Sequence, residues 1–359
     1  MIKYLGSKRT LTGCLGDIAT VIEAKTAVDL FTGTTRVAQE FKKRGITVTA
    51  TDIATYSKVL ADCYIVTDAA TVDFAGLDSA IRELNALPGY DGYVTETFCR
   101  KSRYFQPKNG QRIDAIRDQI EAQYLDSPFY PILLTALMLA ADRVDSTTGV
   151  QMAYLKDWAP RAYNDLELRA PSLLAGQGYA ILGDANQTVE TLPRTDLMYL
   201  DPPYNQHRYF TNYHIWETLV RWDAPEHYGI ACKRIDSREE TTKSIFNKKR
   251  DMPIAFKSLL RKAKAEVLVV SYNNESWITP AEMQDTLYDA GHQEVQMLSF
   301  DYKRYVGAQI GIHNPAGQKV GTVSHTRNLE YVFVAGPREK VAAACATANQ
   351  ATESLQPMF

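Results

Sequence analysis

The sequence has few cysteines, and their positions form no pairs. Five cysteines are scattered along the 359 residues without a C-x-x-C spacing: Cys14, Cys63, Cys99, Cys232 and Cys345. An odd, scattered set is typical of reduced, packed thiols and argues against a disulfide framework. The six histidines lack an H-x-x-x-H spacing. We therefore predict no metal site.

Long hydrophobic runs and a strong net charge are also missing. No apolar run reaches the length of a membrane-spanning helix, and the opening MIKYLGSKRTL lacks the apolar stretch of a signal peptide. We therefore predict a cytoplasmic protein with no membrane partner. The net charge of −2 excludes little, because local basic patches matter more for nucleic-acid binding than the sum does.

A strand-turn-helix-strand pattern lies near the amino terminus, in TAVDLFTGTTRVAQEFKKRGITVTATD. Apolar spacing predicts a strand at 27–31, a helix at 36–44 and a second strand at 47–52. The small residues between the first strand and the helix leave room for a ligand to approach the backbone.

The same segment lacks a complete G-x-G-x-x-G fingerprint. Gly33 is present, but Thr35 stands where a second glycine would let a pyrophosphate approach. Asp52 follows Gly33 by 19 residues, the spacing of the acid that binds ribose hydroxyls. The pattern indicates a nucleoside ligand without a pyrophosphate.

A second candidate site follows the apolar run 197–200 in DLMYLDPPYNQHRYF. The run is typical of a buried parallel strand, which places Asp201 at its carboxyl end, where α/β sheets bind ligands. Pro202 and Pro203 stiffen the loop and donate no N–H, and Tyr204 adds a flat ring. An acceptor-rich loop beside an aromatic platform suits a planar base with an exocyclic amine, either adenine or cytosine.

The remaining pattern predicts an α/β catalytic domain with a helical insertion. We assign residues 1–55 and 170–336 to the catalytic domain, 56–169 to a mainly helical subdomain, and 337–359 to a tail. The subdomain contains an apolar core helix, FYPILLTALMLAADRV. It is also a candidate for recognition of a DNA target.

Three basic segments are candidates for DNA binding. They lie in RKSRYFQPKNGQR, in NKKRD and in DYKRYVG, and the cations that we assign are Arg100, Lys101, Arg103, Lys248, Lys249 and Arg304. Tyr104 and Phe105 accompany the first segment. For each patch taken alone, a solvated helix or loop face is the somewhat favoured explanation, and DNA binding is the alternative.

Together, the motifs KYLGSK, FTG and DPPY resemble those of the D12 class of N6-adenine DNA methyltransferases, which includes Dam-type enzymes. The segments NYHIWETLVRWD and YVGAQIGIHNPAG look closest to restriction-modification methylases of the FokI type. The resemblance implies a Rossmann-like class I S-adenosylmethionine-dependent methyltransferase fold with a mixed seven-stranded sheet. It also implies S-adenosylmethionine as cofactor. The cofactor residues it implies are Tyr4, Gly6, Lys8, Phe31, Gly33, Asp52, Asp184, Ala185 and Asp201.

The implied reaction is methyl transfer to N6 of a flipped-out adenine in double-stranded DNA, with Asp201, Pro202, Pro203 and Tyr204 as catalytic residues. A cognate endonuclease is expected on a separate chain. Alternatives are an N4-cytosine methyltransferase, in which Ser more often replaces Asp201, an RNA methyltransferase, and a non-catalytic DNA-binding subunit. A nicotinamide-dependent oxidoreductase would leave the DPPY loop unexplained.

Overall fold

The computed structural model describes residues 2–6, 8–203, 208–274, 276–303, 312–313, 319–321 and 327–354. Tyr204 and Arg304 lie outside the described residues, as does most of the segment 307–327. No helix among the described residues is long and apolar enough to cross a membrane.

The helices and strands are numbered here in chain order. The α-helices are α1 Thr12–Val21, α2 Arg36–Lys43, α3 Thr55–Ala61, α4 Phe74–Ala86, α5 Pro107–Tyr124, α6 Tyr130–Val144, α7 Ala185–Thr191, α8 Tyr209–Asn212, α9 His214–Arg221, α10 Met252–Lys262, α11 Pro280–Asp289 and α12 Arg338–Ser354. The strands are β1 Thr26–Asp29, β2 Thr47–Asp52, β3 Gly178–Leu182, β4 Thr195–Leu200, β5 His227–Tyr228, β6 Lys233–Arg234, β7 Ala265–Asn273, β8 Glu294–Lys303, β9 Ile312–His313, β10 Lys319–Gly321 and β11 Arg327–Gly336.

The main sheet has seven strands in the order β3-β2-β1-β4-β7-β11-β8. Strand β1 pairs in parallel with β2 and β4, and β4 pairs in parallel with β7. Strand β11 runs antiparallel to both β7 and β8. This mixed sheet with flanking helices confirms the predicted fold class.

The central strands form where the sequence has apolar residues in unbroken runs. In β4, five of the six residues are buried, and seven of the nine residues of β7 are buried, as expected for strands covered on both faces. Strand β1 is shorter than predicted and ends at Asp29. The chain turns there because the Asp29 carboxylate accepts hydrogen bonds from Thr32 Oγ1 and from the Ala38 N–H.

The chain divides into two compact units. The first contains Met1–Leu5, Ile53–Leu182 and Arg208–Lys243, and the second contains Gly6–Asp52, Gly183–His207 and Ser244–Phe359. The first unit is mainly helical around the buried helix α6, which confirms the predicted core helix. It also holds residues 208–243, which the sequence pattern did not assign to the helical part.

The aromatic residues of the first basic segment belong to the core of the helical unit. Tyr104 and Phe105 are fully buried, and the Tyr104 hydroxyl donates to the Gln151 carbonyl at 2.7 Å. They are unavailable for stacking on a base. The prediction that the aromatic residues of this segment share a DNA-binding surface with its cations is therefore wrong.

Candidate active site

The turn after β1 places Phe31 and Gly33 at the carboxyl edge of the sheet. Gly33 adopts a positive φ of 50°, which glycine tolerates without strain. Thr35 also has a positive φ, 62°, although it is β-branched. Its hydroxyl donates to the Thr34 carbonyl and accepts from Gln39 Nε2 at 2.8 Å. These two bonds hold a conformation that the usual glycine would adopt without them.

Asp52 lies at the end of β2, beside this turn. Its Oδ2 accepts a hydrogen bond from the Gly33 N–H at 2.8 Å, which fixes the orientation of the carboxylate. The Asp52 carbonyl accepts from the Gly183 N–H at 2.9 Å. These contacts bring the predicted residues Gly33 and Asp52 together and place Gly183 next to them.

Asp184 and Ala185 follow Gly183 at the start of α7. Asp184 is the N-cap of this helix, and its Oδ1 accepts from the Asn186 N–H at 2.9 Å. Ala185 is buried. Part of the acidic side chain therefore has a structural role, and its predicted contact with the cofactor stays a prediction.

Asp201 stands directly after β4, as predicted. Pro202 is buried and Pro203 half-buried, so the loop leaves the sheet through two residues that donate no hydrogen bond. Tyr204, the fourth predicted catalytic residue, lies outside the described residues. The described part of the loop thus offers one carboxylate and backbone carbonyls.

Lys8 connects Asp201 to an acid from the far end of the chain. The Lys8 Nζ lies 3.0 Å from Asp201 Oδ1 and 2.6 Å from Glu330 Oε1. The contact with Asp201 is an ion pair without the alignment of a hydrogen bond, so among the described residues Oδ1 has no hydrogen-bond partner. This oxygen is inaccessible to solvent, and its charge faces the Lys8 ammonium.

Burial raises the pKa of Asp201 to about 6, Lys8 opposes this rise and Glu330 adds to it. The carboxylate is 18 % exposed. Above pH 6 it is an acceptor on both oxygens, and below pH 6 one oxygen carries a proton.

Asp29 is a buried acid of this edge that the sequence analysis missed. Its side chain is 1 % exposed, and burial raises its pKa to about 7, with further rises from Asp201 and Asp52. Its Oδ1 has no hydrogen-bond partner among the described residues. The signal was an acid placed two residues before Phe31 on a strand that is otherwise buried.

Phe246 and Glu330 were also missed. The Phe246 ring packs edge-on against Phe31 with ring centroids 5.1 Å apart, and Phe246 is 1 % exposed. Neither residue lies near its partner in the sequence, so spacing gave no signal for them.

Tyr4 lies in the helical unit, whereas Gly6 and Lys8 belong to the second unit. The Tyr4 ring stacks on Tyr213 at 4.6 Å and on Tyr209 at 5.4 Å. The hydroxyl of Tyr213 accepts from the Leu5 N–H at 2.6 Å. Gly6 has a positive φ of 73°. The predicted contacts of Tyr4 and Gly6 with a cofactor stay predictions.

Among the described residues, the predicted DNA-binding cations are exposed or half-buried, and Arg100 and Lys101 have acidic partners. Arg100 pairs with Asp91 at 2.5 Å, and Lys101 lies 3.9 Å from Glu96. Arg103 lies over the Trp158 ring at 4.8 Å. Lys248 and Lys249 are exposed, and Arg304 lies outside the described residues.

Arg234, a cation of the helical unit, is buried. It is 1 % exposed and makes paired hydrogen bonds to Asp223 and Asp236. Tyr213 and Trp216, which follow the proline loop in the sequence, are core residues at 0 % and 1 % exposure and are unavailable for contact with a base. Arg234 therefore has a structural role, and Tyr213 and Trp216 pack in the core of their unit.

The mixed seven-stranded sheet, with an acid and two prolines directly after β4, is an α/β structure with a candidate ligand site at the carboxyl edge of its parallel strands. The chain belongs to the D12 class of N6 adenine-specific DNA methyltransferases, whose family model matches residues 4–286. It is therefore an adenine-specific DNA methyltransferase.

Curated relatives of this family are modification enzymes. The chain is 31 % identical over 320 residues to the type II methyltransferase M.NlaIII of Neisseria lactamica, covering 85 % of this chain and 92 % of that protein. It is 30 % identical to the modification methylase StsI of Streptococcus sanguinis, over 86 % of this chain. It is also 30 % identical to the type II methyltransferase M.FokI of Planomicrobium okeanokoites, over 85 % of this chain. The chain spans about half the length of each of these last two relatives, 50 % in both cases.

Proposed function

We propose that this methyltransferase uses S-adenosylmethionine to methylate N6 of an adenine flipped out of duplex DNA, as the modification enzyme of a restriction-modification system. The observation that carries the proposal is the Asp201 carboxylate at the end of β4, which is partly exposed, pairs with Lys8 and precedes two prolines that donate no hydrogen bond. A cognate endonuclease on a separate chain and a cytoplasmic location belong to the same proposal. The relatives that are named as type II methyltransferases support the restriction-modification context.

The residues of this sheet edge fit the proposed cofactor. S-adenosylmethionine carries a sulfonium, an amine and ribose hydroxyls, all of which favour acceptors and negative charge, and it supplies an electrophilic methyl group. Asp29 presents a buried oxygen without a partner, and Asp52 is held toward the turn by Gly33. We assign Lys8, Phe31, Gly33, Asp52, Asp184, Ala185 and Asp201 to cofactor binding, together with Tyr4 and Gly6 from the motif resemblance.

Asp201 and the Pro202 carbonyl are proposed to accept the two N–H groups of the adenine amine. The lone pair of this amine is delocalised into the ring, so the amine is a poor nucleophile in the plane of the base. Two fixed acceptors favour the pyramidal amine with its lone pair directed at the methyl group. Orientation and preorganised dipoles of this kind each contribute on the order of several kcal/mol to catalysis.

Base flipping supplies access to N6, which is buried in a duplex. Flipping costs on the order of a few kcal/mol, and stacking on an aromatic ring returns about 1–3 kcal/mol. We assign the stacking role to Tyr204 from its motif. Tyr209 and Phe210, both half-buried, are further candidates for contact with the base.

The test is methyl transfer from labelled S-adenosylmethionine to unmethylated genomic DNA, followed by mass spectrometry of the nucleosides. The wild type is expected to yield N6-methyladenine, and Asp201→Ala is expected to lose at least about 100-fold in rate because an acceptor at the reacting amine is gone. Asp285→Ala, on the exposed side of α11, is the matched control. N4-methylcytosine as product, or methylated RNA alone, would contradict the proposal.

The proposal also fixes a pH dependence. Because Asp201 must accept from the amine, the rate at saturating substrates should fall as the pH drops through about 6. A rate that stays constant from pH 8 to pH 5 would show that Asp201 is not the acceptor.

A further inference from the structure

Glu330 is a buried acid that no part of the motif pattern includes. It lies on β11 opposite Asn273, the last residue of β7, and so at the carboxyl edge of the parallel strands. Its side chain is 8 % exposed. A buried carboxylate at such a position requires a partner, since an unpaired buried charge is costly.

The partner is Lys8, which two carboxylates share. The Lys8 Nζ is 2.6 Å from Glu330 and hydrogen-bonded to it, whereas it lies 3.0 Å from Asp201. The ammonium is 8 % exposed, so water screens these contacts little. Lys8 therefore makes its shorter contact with Glu330 and its longer contact with Asp201, the proposed acceptor for the target amine.

We propose that Glu330 is a positioning residue for methyl transfer, which holds Lys8 and limits how much of its charge reaches the Asp201 carboxylate. Without Glu330, Lys8 would form a full hydrogen-bonded pair with Asp201 and reduce the negative charge of the carboxylate that should accept from the target amine. The inference rests on the proposed function of Asp201 and adds a role for a residue 129 positions later in the chain.

The charged and titratable groups that face Asp201 fix the sign of the expected effects. They are Lys8 before α1, Glu330 on β11, Asp29 at the end of β1 and Tyr199 on β4. Glu330→Gln removes a like charge and also releases Lys8 to Asp201, and both changes lower the pKa of Asp201. Lys8→Met removes the opposite charge and raises that pKa. Charges at these distances shift a carboxyl pKa by about 1 unit or more.

The experiment measures the pKa of Asp201 directly, by NMR titration of protein labelled with ¹³C at the aspartate carboxyl carbon. Asp201→Asn identifies the resonance. We expect a downward shift of about 1 unit in Glu330→Gln and an upward shift of about 1 unit in Lys8→Met. The matched control is Glu266→Gln, which removes an acid from β7 that pairs with Lys340 at 2.7 Å, and which should leave the resonance unchanged.

The double variant Lys8→Met, Glu330→Gln tests whether Glu330 acts through Lys8. In the absence of Lys8, the substitution of Glu330 should shift the pKa by less than it does in the wild type, since only the direct repulsion is left. Equal shifts in both backgrounds would reject the role through Lys8.

The pH profile of methyl transfer gives the functional readout. The acid limb of the rate is expected to move to lower pH in Glu330→Gln, with a lower rate on the plateau because the carboxylate paired with Lys8 is then a weaker acceptor. Glu330→Gln that behaves like Glu266→Gln in both measurements would overturn the inference. A wild type without methyl transfer would reject the proposed function instead, and the Asp201 resonance would still report whether Glu330 controls the carboxyl group.

Discussion

Asp29, at the carboxyl edge of the parallel strands, lowers the stability of the fold at neutral pH. Its carboxyl group is buried, and its pKa rises from 3.8 to about 7. Between these values the native state binds more protons than the unfolded state. Stability therefore falls as the pH rises from about 4 to 7, and the full cost is present above pH 7.

Asp29→Asn should remove this cost, because the amide is neutral at every pH while its oxygen can still accept from Thr32 and Ala38. We expect the free energy of unfolding at pH 8 to rise by on the order of a few kcal/mol, with little change at pH 4. Urea unfolding at both pH values measures the difference. Asp285→Asn, an exposed substitution, is the control. A gain of equal size at the two pH values would show that Asp29 is not protonated in the native state.

Among the elements of the helical unit, the π-helix Thr95–Arg100 depends on one side chain from α5. The Asp114 carboxylate, 1 % exposed, accepts hydrogen bonds from the N–H groups of Gly92, Val94 and Thr95 and from the Thr95 hydroxyl. These donors lie at the start of the π-helix and just before it, where the backbone supplies no partner.

Asp114→Ala should destabilise the protein by at least about 2 kcal/mol, because buried donors lose their acceptor. The midpoint of urea unfolding is the measurement. Asp126→Ala, at an exposed position of the same unit, should change stability by less than about 0.5 kcal/mol. If the two variants unfold alike, the carboxylate is not what holds this element.

At the scale of elements, the sequence was informative wherever a local pattern decides the structure. The apolar run 197–200 predicted β4 because a strand covered on both faces must be apolar throughout. The end of β1 was misplaced, since the bonds of Asp29 to Thr32 and Ala38 are side-chain contacts that hydrophobicity does not report. The burial of Tyr104 was missed for a similar reason, because its partner Gln151 lies 47 residues away.

At the scale of the whole molecule, the predictable part of the site is the part contained in short motifs. The sequence predicts the pair Gly33 and Asp52 because both residues lie within one strand-turn-helix-strand segment. It predicts the proline loop because that loop directly follows the apolar run of β4. The contact between Lys8 and Glu330 joins residues 322 positions apart. It follows from the placement of β11 beside β7, which no local spacing specifies.

DNA binding by the whole molecule depends on which exposed cations contact phosphates. Lys248 and Lys249 are exposed beside α10, next to a third exposed cation, Arg250. Arg100 lies near the carboxylates of Asp91 and Glu96. Log affinity for DNA falls linearly as log salt concentration rises. If Lys248 and Lys249 contact phosphates, each contributes about 0.9 to the magnitude of this negative slope. We expect the double variant Lys248→Ala, Lys249→Ala to lower the slope by nearly 2, and the variant Arg100→Ala, Lys101→Ala to lower it by less.

Fluorescence anisotropy with a labelled duplex between about 50 and 200 mM salt measures both slopes. Lys262→Ala is the control, because Lys262 pairs with Glu190 at 2.5 Å. The methyl transfer rate at saturating DNA should stay near the wild-type value in the Lys248 and Lys249 variant, because phosphate contacts position the duplex without touching the reacting amine. A larger loss of slope at Arg100 and Lys101 would assign the main phosphate contact to the helical unit instead.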